Sequence, residues 1–156
     1  MHSINANISI MSFNVENLFD TKNNPLKKDD TYIPLNQKDN ALHIKNCKTI
    51  QVKKWRDDCL YLDWNNLAVN QKIKNVVKII SSQNSDIISL QEVENLKILK
   101  LIQSGLDEKK YRYVGLIEGQ DDRGINLGII SKYPISNSNL HPIKFVGVSD
   151  AVQDDT

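Results

Sequence analysis

The chain has few cysteines, no long apolar run and no excess of charge of one sign. Two cysteines, Cys47 and Cys59, are too few for a disulfide-rich scaffold and lack partners at zinc-finger spacing. His43 lies four residues before Cys47, which suggests a metal pair, but buried or free thiols are the expected state. The sequence also shows neither a signal peptide nor a segment of membrane-spanning length. We therefore expect a cytoplasmic protein by default.

The charge balance excludes strong long-range attraction to a polyanion. The 156 residues include 20 Lys and Arg against 19 Asp and Glu, a net charge of +1. Such a surface gives little electrostatic steering toward nucleic acid. If the chain binds phosphate, local charges or a metal must provide the attraction. The length predicts a single domain with a real hydrophobic core.

The most informative stretch is SDIISLQEVEN, residues 85–95. Residues 86–90 have the short apolar run of a buried strand, and Glu92 and Glu94 follow where that strand leaves the core. In open α/β sheets, ligands bind outside the carboxyl ends of the strands. A carboxylate held there has little freedom and can bind a hard cation. The simpler interpretation is that both glutamates are solvated loop acids.

The chain opens with a second strand of this kind, predicted over residues 8–13 and followed by Asn14. An Asx-turn that closes the strand would explain Asn14 without any function. Residues 21–66 are polar and show no apolar periodicity, so we predict a long loop that is functional or partly disordered. Its apolar islands, around Tyr32 and near Trp64, indicate that it folds back onto the body.

A small basic cluster within that loop surrounds Trp55. It consists of Lys53, Lys54 and Arg56. The cluster could contact a nucleic-acid backbone, but a solvated loop is the preferred interpretation.

The remaining pattern predicts helices and strands that build a mixed sheet. A helix is predicted over residues 66–82, with Lys72 outside its apolar stripe. Another is predicted to run from Asn95, its expected N-cap, to near Gly105. Three strands are then predicted, over residues 111–117, 125–131 and 140–148. This order indicates an α+β fold with helices packed on the sheet. A doubly wound nucleotide binder would need a glycine-rich turn after its first strand, where this chain has FNVEN.

Three segments carry a resemblance to a known family. FNVENLFD (13–20), DIISLQEVEN (86–95) and DDRGINLGIISKYPI (121–135) resemble, in order, motifs of the endonuclease/exonuclease/phosphatase superfamily. These deoxyribonuclease I-like proteins are metal-dependent phosphodiesterases and phosphatases. The resemblance implies an α/β sandwich of two mixed sheets flanked by helices, with the site at one edge where strand ends converge.

The resemblance also implies roles for particular residues. Glu92 matches the metal-binding glutamate of the family, and Asn14 matches an asparagine beside the metal and the phosphate. Mg²⁺, or Mn²⁺ in its place, fits such a site because it takes oxygen ligands and keeps several waters. Glu16 and Glu94 are interpreted as supporting residues.

Arg123 is a further candidate, for phosphate binding. Several relatives place a phosphate-contacting tyrosine near this point, where this chain has Gly124. A guanidinium could replace it by binding phosphate oxygens in a bidentate fork. The alternative is a salt bridge from Arg123 to Asp121 or Asp122. Gly128, in the strand that follows, is expected to permit close packing.

Other motifs that the family has after these three are not found in residues 136–156. They are an Asp-x-Asn motif, a late histidine, for which His141 lies too early, and a Ser-Asp-His motif; Ser149 and Asp150 are followed by Ala151. We therefore expect residues 1–156 to form a single incomplete domain with an insertion at about 21–66, inactive alone.

The expected function of the complete protein is metal-assisted, in-line hydrolysis of phosphodiesters, with nucleic acid as substrate. The alternatives are a phosphatase acting on a small molecule or lipid head group, and a non-catalytic remnant or binding module.

Overall fold

The computed structural model of the chain describes residues 7–137 and residue 139. The strand predicted over residues 140–148 lies outside them. In chain order the elements are β1 (Ile10–Leu18), a 3₁₀ helix (Leu35–Gln37), α1 (Ala41–Lys48), α2 (Lys53–Tyr61), α3 (Asn66–Gln83), β2 (Ile87–Val93), α4 (Leu96–Ser104), β3 (Tyr113–Ile117) and β4 (Asn126–Ser131).

The four strands form one mixed sheet in the order β1-β2-β4-β3. β1 and β2 are parallel, while β4 runs antiparallel to both of its neighbours, β2 and β3. A parallel pair needs a long crossover, and residues 19–86, which include α3, provide it. The predicted α+β class, a mixed sheet flanked by helices, is confirmed.

One face of the sheet and the helices α3 and α4 enclose the core. Ile88, Leu90 and Ile130 from the sheet are fully buried there. Gly128 allows the close packing that the sequence predicts, because a Cβ atom at this position would lie 2.9 Å from Cδ1 of Leu99. The helix on that face therefore approaches β4 closely only because the strand carries glycine at this point.

Asparagine caps fix where the two core helices begin. The side chain of Asn65 accepts hydrogen bonds from the backbone N–H groups of Leu67 and Ala68 at the start of α3. Asn95 does the same for Ile98 at the start of α4, as its position after β2 predicts. Both caps satisfy backbone donors that a helix leaves without partners.

The prediction of a long structureless loop over residues 21–66 is wrong. This segment contains the 3₁₀ helix, α1 and α2. The two α-helices have no apolar stripe because they bury only three side chains, His43, Cys47 and Cys59. The helical spacing of aliphatic residues therefore could not predict these two helices.

The same segment folds back onto the body through an aromatic cluster, as its apolar islands predict. The ring of Tyr32 stacks on that of Phe19 with 4.3 Å between centroids, and it meets Trp64 edge-on at 5.4 Å. Nε1 of Trp64 donates to the backbone oxygen of Phe19 at 3.1 Å. The polar segment is thereby fixed beside the end of β1.

The expectation of free or buried thiols is also wrong, because Cys47 and Cys59 form a disulfide. One cysteine lies on α1 and the other on α2, and their Cα atoms are 5.6 Å apart. A separation of this size is within the usual range for a disulfide. The bond joins the two helices that the apolar pattern did not reveal.

The basic cluster around Trp55 lies on α2 rather than in a loop. Lys53 pairs with Asp57 one helical turn away, and the Trp55 side chain is exposed. NH1 of Arg56 donates to the backbone oxygen of Ile50 at 2.9 Å.

Within residues 7–137 and 139, no helix combines the length and apolar character needed to cross a membrane.

Candidate metal and phosphate site

The two parallel strands continue past their predicted ends and become irregular there. Asn14 pairs with Gln91, and the next pair is Leu18 with Val93, so three residues of β1 stand opposite Glu92 alone. The ladder between β2 and β4 also shifts register at Glu92. Such bulges redirect side chains and are common beside active sites.

Three residues at this bulge, none of them glycine, have backbone φ angles in the left-handed region. Their φ angles are 57° for Glu16, 59° for Asn17 and 64° for Glu92. This conformation is unfavourable for residues that carry a Cβ atom, and it is concentrated at functional sites. Two of the three residues, Glu16 and Glu92, are candidates from the sequence analysis.

Glu92 is half-buried, and two groups from β1 hold its carboxylate. Nδ2 of Asn14 donates to Oε1 at 2.9 Å, and the backbone N–H of Asn17 donates to Oε2 at 2.8 Å. A carboxylate can accept about four hydrogen bonds or metal contacts. Both oxygens are therefore oriented while each keeps a further lone pair for a ligand.

Asn14 combines the two interpretations that its sequence position allowed. Its Oδ1 accepts from the backbone N–H of Glu16 at 2.7 Å, which is the Asx-turn. The same carboxamide contacts Glu92 through Nδ2. The turn therefore fixes the orientation of the group that in turn orients the glutamate.

Arg123 joins this site through Asn17, and three hydrogen bonds hold its guanidinium. Nε and NH2 donate to the two carboxylate oxygens of Asp121 at 3.1 and 2.9 Å, and NH1 donates to Oδ1 of Asn17 at 3.0 Å. The bond to Asp121 and, to a smaller extent, the charge of Glu92 raise the pKa of Arg123. The salt bridge to Asp121 is confirmed, whereas Asp122 pairs with Lys28 at 2.6 Å.

Asn17 connects the two charged groups. Its backbone N–H binds Glu92 and its side-chain oxygen binds Arg123. Three of the five N–H groups of the guanidinium are used in these contacts with Asp121 and Asn17. The other two donors have no partner within residues 7–137 and 139, and the side chain is 44% exposed.

Lys72 is a site neighbour that the sequence did not reveal. Its Nζ atom donates to the backbone oxygen of Glu16 and lies 5.3 Å from the centre of the Trp64 ring. Burial lowers its pKa, although the nearby charges of Glu16 and Glu92 oppose that effect. The residue lies outside the apolar stripe of α3, so helical periodicity assigns it to solvent. Only a contact across 56 residues brings it to the bulge.

Glu94 occupies a separate, acidic environment just after β2. It accepts a hydrogen bond from the backbone N–H of Asp20. Burial, strengthened by the charges of Asp20 and Asp29, raises the pKa of Glu94 to about 7. The Glu94 carboxylate thus stabilises the turn after β1. Glu16, the other glutamate interpreted as a supporting residue, contacts Lys72 through its backbone oxygen. The supporting roles assigned to both glutamates stay predictions.

The donor set at Glu92 suits a hard cation that keeps water ligands. In the described part of the chain, the one place where three Asp, Glu, His or Cys ligands converge is elsewhere, at His43, Cys47 and Cys59. Glu92 therefore offers a single carboxylate, beside the carboxamide of Asn14, whose oxygen keeps one lone pair outside the Asx-turn. Mg²⁺ is bound by one or two carboxylates together with substrate phosphate and waters, so these residues fit it.

Comparison with known proteins identifies a family. A sequence model described as the endonuclease/exonuclease/phosphatase family matches residues 9–154. No curated protein and no solved structure matches the chain. The matched range contains Asn14, Glu92 and Arg123.

Proposed function

The chain belongs to the endonuclease/exonuclease/phosphatase family, and we propose that the bulged ends of β1 and β2 form the metal and phosphate site of a phosphoesterase. The observation that carries the proposal is the carboxylate of Glu92, held by Asn14 and by the backbone of Asn17. Nucleic acid is the proposed substrate, and the reaction is hydrolysis of a phosphodiester by water.

Glu92 and Asn14 would hold the cation, Mg²⁺ or Mn²⁺. When bound, such a cation polarises a phosphoryl oxygen and stabilises the leaving oxygen during in-line attack by water. The contribution of the chain is to fix the carboxylate before the ligand arrives. Preorganised groups need no reorganisation during the reaction, which is the main source of electrostatic catalysis.

Arg123 would bind the phosphoryl group. Asp121 and Asn17 hold the guanidinium in place, and two of its donors have no protein partner in the described part of the chain. Charge-assisted hydrogen bonds from Arg to phosphate are short and strong. Asn17 contacts both Arg123 and Glu92. The phosphate bound by Arg123 would therefore be held at a fixed position relative to the Glu92 carboxylate.

A second candidate function is hydrolysis of a phosphorylated small molecule or lipid head group. The net charge of +1 favours it, since the surface as a whole offers little attraction to a long polyanion. The two candidates share the site and differ in how many phosphates the protein contacts. A non-catalytic binding module is the third alternative, and it would keep phosphate binding without turnover.

Binding of a phosphoester tests the proposal without requiring turnover. The probe is thymidine 5′-phosphate, titrated calorimetrically into the chain with Mn²⁺ and again with a chelator. We expect binding only with Mn²⁺, and we expect Arg123→Met to weaken it about tenfold or more because charged hydrogen bonds are lost. The matched control is Arg112→Met. Within the described residues, the exposed guanidinium of Arg112 makes one hydrogen bond, from Nε to the backbone oxygen of Lys109.

Equal affinity of the Arg123→Met and wild-type chains would contradict the assignment of Arg123. Binding that survives chelation would contradict the role of the cation. A single-stranded oligonucleotide that binds no tighter than thymidine 5′-phosphate would favour the phosphatase, because additional phosphate contacts should strengthen binding to a nuclease.

A further inference from the structure

A second group of potential ligands is separate from Glu92. His43, Cys47 and Cys59 are all buried, and their ligand atoms lie within 4.8 Å of one another. Two come from α1 and one from α2. In the described part of the chain this is the one place where three such side chains converge.

The positions follow from the helical spacing. His43 and Cys47 are four residues apart on α1, so they share one face of that helix. Nε2 of His43 lies 3.2 Å from Sγ of Cys47 and 2.9 Å from the backbone oxygen of Cys59. Asn40 accepts from the backbone N–H of His43 at 2.8 Å and fixes the start of the helix. The imidazole is therefore directed at both cysteines rather than at solvent.

The chemistry of these three groups is that of a thiophilic metal site. Two thiolates and one imidazole are typical ligands of Zn²⁺, which takes four ligands in a tetrahedron. We propose that, when the Cys47–Cys59 disulfide is reduced, His43 and the two thiolates bind a thiophilic divalent cation such as Zn²⁺. A water molecule or the backbone oxygen of Cys59 would complete the coordination. Two thiolates cancel the charge of the cation, which suits a buried site.

Disulfide and metal would be alternative links between the same two helices. A dithiol reductant supplies two electrons and two protons, the S–S bond breaks to give two thiols, and the reductant closes to its own disulfide. Binding of the cation then releases both thiol protons to solvent. Bound metal would consequently oppose reoxidation, because both sulfurs are occupied.

The consequence for the protein concerns the segment that these helices stabilise. Residues 21–66 also supply Tyr32, whose ring stacks on Phe19 at the end of β1, and Trp64, whose Nε1 donates to the backbone oxygen of Phe19. A metal link would keep that segment folded where a disulfide is reduced. The proposal is independent of the phosphoesterase site, since thiolates select soft cations and Glu92 suits a hard one.

Cobalt spectroscopy tests the proposal directly. The full chain is reduced with a phosphine, the reductant is removed without oxygen, and Co²⁺ is added. We expect one equivalent of Co²⁺ to give a thiolate-to-cobalt charge-transfer band and the visible bands of a tetrahedral site. Added Zn²⁺ should displace Co²⁺ from the site and so remove these bands. The oxidised chain should give neither band, because its sulfurs are bonded to each other.

Variants identify the ligands. Cys59→Ser should abolish the charge-transfer band of a two-thiolate site, and His43→Asn should weaken Co²⁺ binding about tenfold or more. Glu92→Gln should bind Co²⁺ through sulfur as the wild type does, which separates this result from the proposed function. Far-UV circular dichroism of the reduced wild type shows whether the chain is folded. A folded, reduced wild type without a sulfur-to-cobalt band would overturn the proposal, as would His43→Asn with unchanged affinity.

Discussion

Nδ2 of Asn14 donates a hydrogen bond to Oε1 of Glu92 at 2.9 Å, although the two residues are 78 positions apart in the sequence. The bond joins the ends of two parallel strands at the point where their ladder becomes irregular. It orients a carboxylate whose backbone is held at a φ of 64°. Local strain and a preoriented acid thus occur at the same residue, which is typical of functional sites.

Asn14→Ala tests whether this bond orients the metal ligand. We expect the affinity for Mn²⁺ to fall about tenfold, which is the usual effect of removing a group that orients a ligand. The free energy of unfolding should change by less than about 1 kcal/mol because both hydrogen bonds of this side chain are exposed. Manganese titration and urea unfolding measure the two effects. Unchanged affinity would reduce Asn14 to its Asx-turn.

Gly128→Ala should destabilise the fold through a clash in the core. The new Cβ atom would lie 2.9 Å from Cδ1 of the fully buried Leu99, and overpacking of this kind costs about 1–3 kcal/mol. Gly115→Ala on β3 is the matched control, since among the described residues its Cβ atom would meet Cδ1 of Ile135 at an ordinary 3.5 Å. Urea unfolding should separate the two variants. Equal stability would show that Leu99 moves freely.

Glu94 should make stability fall as pH rises toward neutrality. Burial raises its pKa from 4.5 to about 7, so the folded state binds more protons than the unfolded state between these values. Its contribution to stability is fully present below pH 4.5 and is lost as pH rises through about 7. Glu94→Gln removes the titration, so the variant should gain stability relative to wild type across this window. Glu108→Gln, at an exposed glutamate, is the matched control.

The 156-residue chain alone should not hydrolyse phosphodiesters at a useful rate. After residue 135 the sequence has neither the Asp-x-Asn nor the Ser-Asp-His motif that the family resemblance leads us to expect, and His141 lies too early to be the late histidine. Catalytic groups act as a unit, so losing several is as damaging as losing all of them. Plasmid nicking with added Mg²⁺ is the measurement. Cutting by the folded wild-type chain, abolished in Glu92→Gln, would contradict this expectation.

The sequence was sufficient where strong local signals determine the structure. The apolar stripe of α3, the cap at Asn95 and the apolar run of β2 all predict elements that are observed, because burial against the sheet requires those patterns. The family resemblance also implies the proximity of Asn14 and Glu92, since it places the site where strand ends converge.

The sequence was insufficient where contacts between distant residues decide the structure. Helices α1 and α2 escaped detection because their buried faces consist of His43, Cys47 and Cys59 rather than aliphatic residues. The disulfide depends on how those helices pack. Lys72 reaches the bulge only through a backbone oxygen 56 residues away.

The most direct test of the metal site is a manganese titration in which electron paramagnetic resonance measures the bound Mn²⁺. Wild type, Glu92→Gln and the exposed control Glu108→Gln are compared after oxidation, so that Cys47 and Cys59 cannot bind metal. We predict that wild type and Glu108→Gln bind Mn²⁺ equally, and that Glu92→Gln binds it about a hundredfold more weakly because it loses the charged ligand. Retention of wild-type affinity in a folded Glu92→Gln chain would contradict the assignment of Glu92 as the metal ligand.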